Sequence, residues 1–208
     1  MGAGQIALHR KPDWRHICLY ARTTISPLLI LMLLLASAAT SFAADSETLT
    51  EYQIKAGFFF NFTRFVEWPD DAFATPTSPI VVCIVGETPL TDLLTGVAVG
   101  KVVNGRAVSI TRVKPADDLR VCNLLFISEA AERRTGEILP RLRNFHTLTV
   151  GETPGFSRAG GMINFSIQDN KVKLEMNLDA ATRAGLKINS KLIAVSHLVS
   201  PSSVTEEN

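Results

Sequence analysis

Cysteine is scarce in this chain of 208 residues, with three in all, which excludes a disulfide-dense scaffold and a four-cysteine zinc ribbon. Net charge is nearly absent as well. A formal balance of +1 excludes a basic nucleic-acid binder or an acidic tail protein on bulk charge, so no nucleic-acid partner is expected. Aromatics are few, at 7%, and no segment is of low complexity. What remains, 46% hydrophobic and 20% charged residues, is the composition of a globular protein. The length allows one domain, or two small ones, with a core that needs no metal or disulfide staple.

The near-neutral average hides an asymmetry. Residues 1–24 carry Arg10, Lys11, Arg15 and Arg22 against the single acid Asp13. Ile25 to Ala39 is uncharged, Leu28 to Leu35 is an unbroken apolar run, and Ser41-Phe42-Ala43 offers small residues for a cut after Ala43. This order reads as a secretory signal over 1–43, its apolar stretch short of the roughly 20 residues that span a bilayer. No cysteine stands at the exit for lipid attachment. The expected product is a periplasmic domain over 44–200 with a flexible tail at 201–208. It holds 17 basic against 19 acidic residues, a charge of −2. Cys18 leaves with the signal. Cys83 and Cys122 remain, and two cysteines in an exported chain are expected to pair. Each reads as mid-strand in apolar surroundings, and closing a loop of about 40 residues is worth roughly 4 kcal/mol.

The spacing Thr48-Leu49-Thr50-Glu51 predicts a helix start of the capping-box kind, and the helical pattern runs to Glu67 before Trp68-Pro69. Tyr52, Ala56, Phe59, Phe62 and Val66 share one face, which Ile54, Phe58 and Phe65 widen. Gln53, Gly57, Asn61 and Arg64 form the polar strip, with Phe60 at its edge. The apolar arc exceeds what one sheet face needs. The surplus predicts a subunit or partner interface at Phe58, Phe60 and Phe65, with Arg64 beside them.

The strand at 80–85 is continuously apolar and therefore buried on both faces. Thr88-Pro89 opens a short helix to about Leu94. Further strands are expected at 107–113, 121–127 and 147–150, with a helix from Ser128 to about Asn144, bent or broken around Gly136 and Pro140. Strands alternating with helices predict an α/β fold in three layers: a mostly parallel central sheet, helices on both faces and an antiparallel edge hairpin. That hairpin is Met162–Gln168 with Lys171–Asn177 around Asp169-Asn170, pairing Ile163 with Met176 and Asn164 with Glu175. Asn177 caps a short helix that Gly185 stops, and Ser190 caps a last helix to about Val199.

Chemistry is thinly signalled. His146 and His197 have no ligand-type residue at metal-binding helical spacing, so neither a metal nor a cofactor is expected. Asp117-Asp118 reads as solvated loop. Gly155-Phe156-Ser157-Arg158-Ala159-Gly160 resembles a nucleophile elbow only superficially, its second glycine one place too far along. Gly-Glu-Thr-Pro occurs at 86–89 and again at 151–154, each time after a strand. Those residues suit strand exit and helix entry. Strand ends are also where ligands sit in open parallel sheets, which makes Thr88, Thr153 and Ser157 the candidate ligand-loop residues. No catalytic residue emerges.

The order of several motifs resembles the YfiR family of periplasmic regulators. They are Ala56-Gly57-Phe58-Phe59-Phe60-Asn61-Phe62-Thr63-Arg64-Phe65-Val66-Glu67-Trp68-Pro69, Leu124-Leu125-Phe126-Ile127-Ser128, Gly160-Gly161-Met162-Ile163-Asn164-Phe165 and Ala184-Gly185-Leu186-Lys187-Ile188-Asn189-Ser190. The resemblance implies a non-enzymatic regulator that dimerises and binds the periplasmic sensor region of an inner-membrane diguanylate cyclase or other membrane sensor. Inhibition of that cyclase would lower cyclic di-GMP and disfavour biofilm growth. The resemblance also implies an outer-membrane lipoprotein as a second partner, and a family disulfide at Cys83 and Cys122. A second cysteine pair found in some members has no counterpart between Ser157 and Gly161. A periplasmic small-ligand sensor is the alternative reading.

Overall fold

The computed structural model describes residues 49–98 and 100–200. The expected signal over 1–43, the capping Thr48 and the tail at 201–208 lie outside the described residues.

The first helix, α1 (49–65), ends two residues before the expected point, because Val66–Glu67 is extended as a short strand, β1. β1 pairs antiparallel with β9 (Lys187–Ile188) in a two-stranded ribbon. The main sheet has eight strands. Its parallel centre is β4 (Arg106–Arg112), β2 (Ile80–Val85), β5 (Leu124–Ile127), β6 (Leu148–Gly151) and β7 (Ile163–Gln168), in that spatial order. β3 (Val102–Val103) turns antiparallel onto β4 at one edge through Asn104-Gly105, both at positive φ. β8 (Lys171–Met176) returns antiparallel to β7 through Asp169-Asn170, whose φ values of 49° and 57° suit a two-residue hairpin turn. Its register pairs Ile163 with Met176, Asn164 with Glu175 and Gln168 with Lys171, as the period-two pattern requires.

The hairpin is not the edge. A last strand, β10 (Ser196–Leu198), lies parallel to β8, and the expected long C-terminal helix is only α5 (Ser190–Ala194). Asn189, rather than Ser190, caps α5 by accepting from the Lys191 amide at 2.9 Å. The helix cannot continue through 196–198 because that segment completes the sheet: the Val199 amide donates to Met176 O at 2.9 Å.

Both sheet faces are covered, which is why the central strands are apolar without alternation. Val82, Ile84, Leu124, Phe126, Leu148 and Val150 face α1, together with α2 (Leu90–Ala98) and α4 (Leu178–Arg183). Cys83, Val85, Leu125 and Ile127 face the opposite layer, which contains α3 (Thr135–Leu142). Phe59 and Phe62 of α1 are fully buried and join Phe126 and Phe165 in a ring cluster with centroids 5.2–5.8 Å apart. Such pairs add about 0.5–1.5 kcal/mol each beyond their burial.

Other boundaries shift for identifiable reasons. α2 extends past Leu94 to Ala98 because Leu94 and Ala98 both bury against the sheet. The 129–144 segment divides near Arg134, where a 3-10 helix at Glu129–Arg134 gives way to α3; Gly136 and Pro140 lie inside α3 rather than at the break. Ser128 makes no side-chain cap. The Glu129 amide donates instead to the Glu152 carboxylate at 3.1 Å. Cys122 is not mid-strand but in the turn leading into β5. From there it bonds Cys83 on the neighbouring β2, 39 residues away with Cα atoms 5.8 Å apart. Next to it, Asn123 ties the start of β5 in place. Its side chain accepts from the Val81 amide at 2.9 Å and donates to Ala72 O at 3.2 Å, while its carbonyl accepts from Trp68 Nε1 at 3.1 Å.

Candidate functional site

Three segments meet around a polar cleft of about 660 Å³: the first turns of α1, the loop after β6, and the β7–β8 hairpin. Its centre is a buried ion pair. Lys55 projects from the apolar side of α1, with 4% of its side chain exposed, and its Nζ lies 2.6 Å from Glu152 Oε2 and 2.5 Å from Glu51 Oε1. Glu152 follows β6 directly and is equally buried. Its other oxygen accepts from the Glu129 amide, and from the Tyr52 hydroxyl at 3.5 Å. The pair therefore ties α1 to the ends of β5 and β6.

Desolvation pushes the Lys55 pKa down, but hydrogen bonds to Glu152 and Glu51 outweigh it and the pKa is raised above 10.5. Burial, then the charge of Glu152, pushes the Tyr52 hydroxyl above its ordinary value. Lys55 is thus a fully engaged ammonium near neutral pH, and it has no free lone pair with which to act as nucleophile or base.

One atom in the cleft is unsatisfied. Asn164 is 1% exposed; its Nδ2 donates to Glu175 Oε2 at 3.4 Å, which orients the amide, yet its Oδ1 has no partner. A buried orphan acceptor costs about 1–3 kcal/mol and calls for a donor.

The residues singled out from sequence are not gathered here. Thr88, Thr153 and Ser157 are all buried and none lines the polar cleft. Thr88 Oγ1 accepts from the Leu90 amide at 3.3 Å at the start of α2. Ser157 Oγ donates to Glu175 O at 3.4 Å, and its carbonyl accepts from Asn177 Nδ2 at 2.8 Å. On α1, Phe58 and Phe65 are half-buried and packed against the core. Phe60 is also half-buried and borders a shallow apolar groove with Val97 and Ile110, while Arg64, one turn on, is exposed. Cys83 and Cys122 are both buried, beyond easy reach of a dissolved reductant. Among the described residues no group of three or more His, Cys, Asp or Glu could hold a metal ion, and no helix is long and apolar enough to cross a membrane.

Sequence reasoning missed Lys55, Glu152 and Asn164. The available signal was a lone lysine set among Tyr52, Phe59 and Phe62 at helical spacing. Its partner is 97 residues away in the chain, inside the second Gly-Glu-Thr-Pro. That repeat divides by environment, since Glu87 is exposed beside Arg112 whereas Glu152 is buried.

Residues 52–197, from the first turns of α1 into β10, match the model of the YfiR/HmsC-like family. The chain belongs to that family. Comparison with the curated proteins gives no match. YfiR/HmsC-like membership suggests a periplasmic regulator of cyclic di-GMP signalling.

Proposed function

We propose that the protein is exported, loses its signal near Ala43, and folds over 44–200 as a non-enzymatic regulator. In this reading it binds and inhibits the periplasmic sensor region of an inner-membrane diguanylate cyclase, so lowering cyclic di-GMP. The observation that carries the reading is the outward part of α1. Phe60 is half-buried against an open apolar groove, beside exposed Arg64 and with Val97 exposed on the groove's other wall. An aromatic next to an arginine at a partly covered apolar surface is the composition of a binding hot spot. The same face supports a homodimer. The fully paired Lys55 supports a structural rather than a catalytic role for the buried charge.

Deleting the gene and measuring cyclic di-GMP tests the reading: a rise is expected, and an unchanged level counts against it. Sedimentation of the Phe60→Asp variant separates partner binding from self-association. If both persist, α1 is not the interface.

A second reading, a small-ligand sensor, is favoured by the orphan Asn164 Oδ1 in the polar cleft. A ligand presenting an N–H or O–H there would raise the thermal midpoint, and Asn164→Ala would abolish that rise.

A further inference from the structure

A second cleft, of about 580 Å³, opens on the other side of the loop that follows β6, and its chemistry is the opposite of the first. Its apolar surface includes Leu139, Met162 and Ala180. Around it stand Arg143, Arg158 and Arg183, and no acidic side chain lines it. None of the three arginines makes an ion pair or hydrogen bond among the described residues, although Arg158 also borders the polar cleft with its carboxylates. Five of the seven other arginines of the described residues find partners, the exceptions being Arg64 and Arg133, which are exposed. Arg106, Arg112, Arg120, Arg134 and Arg141 each bond a carboxylate or a carbonyl.

Arg143 follows the end of α3, and Arg183 closes α4, so the helix dipoles favour a cation at each place. That accounts for two arginines singly. It does not account for the third, which projects from the loop, nor for an apolar surface left open between them. Three like charges around one hollow repel each other, and an anion relieves the repulsion. Each guanidinium presents a planar fork that matches a carboxylate or phosphate. The volume is that of a small-molecule site.

We infer that this cleft binds an oxyanion carrying an apolar body, of the class of phosphate monoesters, with the oxygens on Arg143, Arg158 and Arg183 and the body over Met162 and Leu139. The inference rests neither on the partner reading nor on the polar cleft. A phosphate ester of this kind comes either from a soluble metabolite or from a lipid headgroup, and the probes distinguish the two.

Calorimetric titration of residues 44–208 with phenyl phosphate, inorganic phosphate and benzyl alcohol tests whether both halves of the ligand are needed. Phenyl phosphate is expected to bind about tenfold more tightly than inorganic phosphate, with benzyl alcohol silent. Arg158→Ala and Arg183→Ala should each weaken phenyl phosphate about tenfold, whereas Arg64→Ala, on α1, should not. Matching circular dichroism and urea midpoints establish that each variant is folded. Absence of phenyl phosphate binding at about 10 mM, or undiminished binding in the triple alanine variant, overturns the inference. Co-sedimentation with phosphatidylglycerol vesicles, but not with phosphatidylcholine, and its loss in the triple variant, supports the site with a lipid headgroup as the source. Phenyl phosphate binding without vesicle recruitment supports it with a soluble ester.

Discussion

Replacing Lys55 with methionine isolates the contribution of the buried charge cluster. The side-chain volume is kept, while Glu152 loses the ammonium 2.6 Å from its carboxylate. Breaking a buried pair by removing one partner costs about 3–5 kcal/mol. Here Glu152 keeps the Glu129 amide and the Tyr52 hydroxyl, and Glu51 is exposed enough to turn towards water, so the lower end, about 3 kcal/mol, is expected. For a domain of this size that is a fall of roughly 6–12 °C in melting midpoint. Glu152→Gln should cost a similar amount. In the double variant the two losses should not add, with about 1–3 kcal/mol of coupling between them. Urea unfolding followed by Trp68 fluorescence measures this, the slope against denaturant remaining unchanged. The pH dependence has a definite sign. The pKa of Lys55 is raised by folding, so its contribution is complete below the ordinary lysine value of 10.5 and is lost only as pH rises through the higher folded value. The difference between wild type and Lys55→Met should therefore be flat from neutral pH up to that point. Additive losses in the double variant, or a difference that fades between about pH 7 and 9, would refute the reasoning.

Removing the Cys83–Cys122 bridge as a double alanine variant opens a 39-residue loop and should cost about 4 kcal/mol, read from the urea midpoint under oxidising conditions. Gly161→Ala drives a Cβ into the Phe156 ring and should destabilise by about 1–3 kcal/mol. Gly57→Ala meets nothing within 4 Å on α1 and should stabilise by about 0.5–1 kcal/mol in the same assay. Asn123→Ala leaves the Val81 amide and the Ala72 carbonyl without their partner and should cost about 1–3 kcal/mol, with a shift in Trp68 emission as the local sign.

What could be read from the sequence was what local rules govern. The β7–β8 register follows from a two-residue Asp169-Asn170 turn and strict alternation, and α4 is bracketed by the Asn177 side chain, which accepts from the Ala180 amide, and by Gly185 at positive φ. The β3–β4 hairpin carries the same kind of signal in Asn104-Gly105, yet its first strand is two residues long and gives no pattern to recognise. β10 read as helix because a segment of three residues is set by its neighbour β8 rather than by its own periodicity. Lys55 and Glu152, Cys122 and Cys83, and the three arginines of the second cleft lie far apart in sequence. Only the order of strands across the sheet decides which of them meet. Of the candidate site residues, the cysteines were found because so few were available. Thr88 and Ser157 stand out by loop position alone, and both are engaged in holding their loops.

The central claim is that this protein acts by contact with a membrane signalling enzyme. Purified residues 44–208 added to membranes containing the inner-membrane diguanylate cyclase should lower cyclic di-GMP synthesis in proportion to the amount added, and an equally stable Phe60→Asp domain should not. Synthesis that proceeds unchanged at saturating domain, or is inhibited equally by the Phe60→Asp variant, contradicts the account.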